Sequence, residues 1–63
     1  MNISEKSKFY IIAIIASIPR KTLDDFKEEV KNLNSEELNY LKQELYFLVS
    51  RGKTQYQAAY NAL

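Results

Sequence analysis

The chain has 63 residues, 46% of them hydrophobic, and nine Lys or Arg against eight Asp or Glu leave a net charge of +1. Cysteine and histidine are both absent, which excludes disulfides, thiolate metal sites and a Cys nucleophile, and removes the usual general base near neutral pH and the commonest zinc ligand. A chain this short buries only about 60% of the surface its unfolded form exposes, and of the usual supplements to a small core only association with another chain is left.

The near-neutral balance argues against a dedicated nucleic-acid binder, which is normally strongly basic. With one Gly, one Pro and no linker, repeat or low-complexity tract, a single domain over residues 1–63 is expected.

The first element is the run from Phe9 to Ile18, ten apolar or small residues flanked by Lys6, Lys8, Arg20 and Lys21. It is too short to span a bilayer, which takes roughly 20. Lys6 and Lys8 before an apolar run, with Ala16-Ser17 behind, have the look of an export signal. Its removal would leave roughly 45 residues without a cysteine, a poor secreted domain. A cytoplasmic location and no membrane partner are therefore expected. The isoleucines would suit a strand, but the run does not alternate and no second strand is visible. Ile11, Ile14, Ile15 and Ile18 instead follow the i, i+3, i+4, i+7 rule of a helix. Phe9, Ile12 and Ala16 cover its flank and Tyr10, Ala13 and Ser17 a smaller side, so no face is strongly polar. Such a helix is expected to be buried all round, and Pro19 to end it by displacing Ile18 from the helical region.

Thr22, with Asp25 three residues on, reads as a capping box that starts a second helix. Leu23, Phe26, Val30 and Leu33 form its apolar face, and Asp24, Lys27, Glu28 and Lys31 its solvated one. Asn34 or Ser35 caps a third helix, with Glu36 and Glu37 in the first turn. Leu38, Leu41, Leu45 and Leu48 form a heptad-like seam along it, widened by Tyr40, Phe47 and Val49. Gly52 stands at a C′ position. Thr54 with Gln57 suggests another capping box, opening a short helix whose apolar series is Tyr56, Ala59, Tyr60 and Leu63. The fold class expected is all-α: a small bundle of three main helices plus a short C-terminal one, completed by dimerisation.

Chemistry is hard to place. No phosphate-cradling glycine loop, metal-ligand cluster or paired nucleophile and base is present. The neighbouring carboxylates Asp24-Asp25, Glu28-Glu29 and Glu36-Glu37 diverge by about 100° on a helix. No enzymatic activity, cofactor or metal is expected. Binding is the expected role: a small regulator or interaction module that self-associates as a homodimer, or docks on a larger protein, through Ile11, Ile14, Ile15, Ile18, Leu38, Leu41, Leu45 and Leu48.

A nucleic-acid surface is the alternative. In an up-down-up bundle Arg20 and Lys21 would lie beside Arg51 and Lys53, with Glu28, Glu29, Glu36 and Glu37 toward the other end. The stretch LVSRGKTQYQAAYNAL, residues 48–63, resembles the first helix, turn and second helix of resolvase-like domains. Were the last helix itself the recognition helix, it would present Gln55, Gln57 and Asn61 to base edges. The order SEKSKFY, KTLDDF and SEEL also resembles the Hha/YmoA family of small helical gene-expression modulators. That likeness implies a DNA-linked regulatory role, although the family's first helix is basic where this one is apolar, and its Ala-Asp-His-Arg segment is missing.

Overall fold

A computed structural model describes residues 3–63. The chain is all-α: α1 spans Glu5–Ser17, α2 Leu23–Val30, α3 Ser35–Ser50 and α4 Gln57–Asn61, with no strand among the described residues. α1 starts ahead of the apolar run because Ser4 caps it, its hydroxyl accepting the Ser7 N–H at 3.1 Å, with Glu5 favourably placed in the first turn. At the other end Pro19 does not displace Ile18, which stays helical at φ −51°, ψ −45°. Residues 18–20 tighten into a 3₁₀ turn, and the chain becomes extended at Lys21 and Thr22. That turn closes with the Lys21 N–H on the Ile18 carbonyl at 3.3 Å and needs no donor from proline. The break therefore falls after Arg20.

The remaining boundaries follow local chemistry. Thr22 Oγ1 accepts the Asp25 N–H at 3.1 Å, but Asp25, one methylene shorter than Glu, makes no reciprocal bond among the described residues. The box is complete at α3: Asn34 Oδ1 accepts the Glu37 N–H at 2.8 Å, and Glu37 Oε1 accepts the Asn34 N–H at 3.1 Å. α3 ends in a Schellman motif, with the Lys53 N–H on the Leu48 carbonyl and the Gly52 N–H on the Val49 carbonyl, both at 3.0 Å. Gly52 sits at φ +87°, a conformation that costs other residues about 1–2 kcal/mol. The box expected at Thr54 does not form. Residues 54–56 make a 3₁₀ turn without a side-chain cap, because the chain leaving Gly52 must tighten before α4 can fold back onto α3.

One core joins all four helices: Ile11, Ile14 and Ile15 of α1, Phe26 of α2, Leu41 and Leu45 of α3, and Ala59 of α4. Ile18, Val30, Leu33, Tyr40, Leu48, Tyr56, Tyr60 and Leu63 pack around it half-buried. α1 and α4 both lie against α3, and α4 also touches α2. Ser7 Oγ donates to Glu37 Oε2 at 2.9 Å, which brings the first turns of α1 and α3 together. The radius of gyration, 11.0 Å, is close to the ~10.6 Å expected of a folded chain of this length. The single chain is therefore compact.

Within the single chain α1 is covered on one side only: Phe9, Ile12, Ala13 and Ala16 are exposed. α3 is the main cover of α1 and leaves the opposite face open.

Candidate functional site

The eight side chains expected at an interface are placed mostly within the protomer. Ile11, Ile14, Ile15, Leu41 and Leu45 are buried core, Ile18 and Leu48 pack against it, and Leu38 is half-buried. These residues hold α1 and α3 to the rest of the molecule, so they are not open to a partner while the core is closed. The unpartnered apolar surface lies elsewhere.

On α1, Phe9, Ile12, Ala13 and Ala16 repeat at i, i+3, i+4, i+7 and form a second stripe opposite the buried one. Phe9 is 70% exposed and Ile12 47%. Sequence periodicity carried this signal too, but the isoleucine stripe is the richer of the two. Helix packing buries whichever face removes more apolar area from water, so the isoleucines went inward. Other exposed apolar side chains are in part engaged. Tyr46 meets Tyr60 with ring centroids 6.0 Å apart, and the Arg51 guanidinium lies over the Phe47 ring at 5.3 Å. Leu23 edges an open depression of about 180 Å³ whose lining includes Ile18, Phe26, Gln55 and Ala59.

That depression also shows that the turn after α1 and the segment after α3 are neighbours, as the basic-patch reading requires. Two of the four basic side chains have partners of their own. Lys21, with a side chain only 12% exposed, is ion-paired to Glu29, so Glu29 sits with the basic turn rather than apart from it. Arg51 rests on Phe47. Arg20 and Lys53 are exposed and in no ion pair among the described residues. Gln57 Nε2 donates to Asn61 Oδ1 at 2.9 Å, so two of the three side chains proposed to read bases are bonded to each other. They stand on a helix of only five residues.

Among the described residues no group of three or more His, Cys, Asp or Glu is placed to hold a metal ion. Glu36 Oε2 is buried without a hydrogen-bond partner among them, in the first turn of α3, where the helix dipole favours an anion. No helix among the described residues is long and apolar enough to cross a membrane. No family model, curated protein or solved structure matches the chain.

Proposed function

We propose that the chain is a small, non-enzymatic protein–protein interaction module, a helical bundle whose docking surface is the outer face of α1: Phe9, Ile12, Ala13 and Ala16. One observation carries this reading. The helix has two apolar faces, and only one of them serves the core. Leaving Phe9 in water forgoes most of the roughly 1.5–3 kcal/mol that its burial would provide, and Ala13 and Ala16 beside it let another backbone approach closely. A flat apolar stripe with small residues along its middle suits a helix or a second α-helical surface better than an extended peptide. A cytoplasmic regulator that acts through a protein partner fits this surface. The DNA-binding alternative has less support, because Lys21 is largely covered and ion-paired to Glu29.

A photo-crosslinking residue placed at position 12, with a control at the exposed, polar Lys42, tests the proposal in cells. Discrete adducts from position 12 and none from position 42 are expected. Adducts from neither position, or the same adducts from both, would remove the α1 face as the docking surface.

A further inference from the structure

We infer that the occupant of this face is a second copy of the chain, laid antiparallel along α1 with the twofold axis between Ile12 and Ala13. The inference rests on the interaction-module reading and names its partner. The stripe is self-complementary in that direction only. Antiparallel pairing about this axis sets Phe9 against Ala16 of the second copy and Ile12 against its Ala13, so each large side chain meets a small one. A parallel pairing would instead place Phe9 on Phe9 and leave Ala16 facing Ala16, with a gap between the helices.

The charges at the two ends agree. Glu5 begins the helix on the line of this stripe and is well exposed, its one ion pair among the described residues being a solvent-facing contact with Lys8 at 3.2 Å. Arg20, exposed in the turn just past the other end, is in no ion pair among the described residues. The same twofold axis brings Glu5 of each copy opposite Arg20 of the other, twice per dimer. A parallel arrangement would set Glu5 against Glu5 and Arg20 against Arg20. Lys6 and Lys8 fall on the flanks of the contact.

Area decides how strong the pairing is. Four residues exposed to this degree offer about 350 Å² per copy, or about 700 Å² in all, taking a fully buried aromatic side chain as roughly 200 Å². Stable specific complexes bury about 1,200 Å² or more. The dimer is therefore reversible and concentration-dependent, between protomers that are already folded.

Sedimentation equilibrium from micromolar to about millimolar protein, together with single-cysteine oxidation, tests this in a chain that has no native cysteine. Glu5→Arg and Arg20→Glu should each weaken dimerisation roughly tenfold, and the double exchange should restore it, as expected for two exposed ion pairs. Ala13→Cys should oxidise to a covalent dimer, because the two Cα atoms at position 13 would lie only about 1.5 Å apart along the helix axis. Ala16→Cys should not, since its two copies would be separated by about 10 Å along that axis. Circular dichroism confirms that each variant keeps its helices before it is scored. Cross-linking at both positions would overturn the antiparallel arrangement. A monomer throughout the concentration range, with neither variant cross-linking, would overturn the second copy as occupant. Adducts from position 12 to a different protein would then leave the docking surface standing without the dimer.

Discussion

Ile11 and Ile12 are adjacent isoleucines in the middle of one helix, and the structure gives them opposite fates: Ile11 has no exposed surface, whereas Ile12 is 47% exposed. Truncation of either to alanine removes three carbon groups, worth about 2.4 kcal/mol if fully buried at about 0.8 kcal/mol each. At Ile11 the full transfer cost applies, and a cavity among Ile14, Ile15, Leu41 and Leu45 adds to it. The higher helix propensity of alanine returns about 0.4 kcal/mol, leaving a loss of about 3 kcal/mol. At Ile12 about half the transfer cost applies and no cavity forms, so the same propensity gain leaves a loss below about 1 kcal/mol. An unfolding entropy of about 130 cal/mol/K for a chain of this length converts these to falls in Tm of ~23 °C and at most ~8 °C. Thermal unfolding of dilute protein, followed by circular dichroism, reads both. Should Ile11→Ala leave too little folded protein, the Ile→Val pair preserves the contrast, with about 1 kcal/mol at Ile11 and a few tenths at Ile12. Equal losses at the two positions, or the larger loss at Ile12, would refute the assignment of α1's inner and outer faces.

Asn34→Ala removes one half of the complete capping box and should cost about 1 kcal/mol, ~8 °C in Tm, with Glu37→Ala costing less because Asn34 still caps. Gly52→Ala meets no atom within 4 Å of the added carbon, so its expected cost of about 1–2 kcal/mol in urea unfolding is purely the left-handed backbone. Glu29→Gln leaves the largely covered Lys21 ammonium without its anion. The partner side is more exposed and solvent screens the pair, so a loss of up to about 1 kcal/mol is expected, shrinking in 1 M salt. With Lys21 paired to Glu29 and a net charge of only +1, duplex DNA should not be retarded at low salt. Retardation that is lost on Arg20→Glu with Lys53→Glu would revive the nucleic-acid reading.

Periodicity and caps were enough to read the helical elements. The Thr22 cap, the Asn34 and Glu37 pair, the glycine at α3's end and the Tyr56, Ala59, Tyr60 and Leu63 series all act locally, within one turn of themselves. Misplaced boundaries came from weighing one local signal over another. Ser4 was hidden by the stronger apolar run behind it, Pro19 is accommodated by a 3₁₀ turn, and Thr54 is drawn into the tight path from Gly52 to α4. The candidate site was less legible for a different reason. A helix with two apolar faces does not say which one its neighbours will cover; that depends on where α3 and the rest of the core lie. Of the isoleucines and leucines expected at an interface, Ile11, Ile14, Ile15, Leu41 and Leu45 are core, and the weaker Phe9, Ile12, Ala13 and Ala16 series is the face of α1 left open. Likewise, the Lys21 pair with Glu29 joins a turn to a helix, a spacing that no helical repeat ranks above its alternatives, whereas the Gln57 to Asn61 bond is an i, i+4 pair that the sequence does carry.

The central claim is that α1's outer stripe, and not the exposed surface at large, is where a protein partner rests. Its most direct test is a photo-crosslinking scan along α1, with the reactive residue placed in turn at each position from Lys6 to Ser17 in cells. The account predicts adducts that rise and fall with the helical repeat, strong at positions 9, 12, 13 and 16 and weak at Lys6 and Lys8. A profile without that periodicity, or one peaking away from those four positions in variants that remain folded, would contradict it.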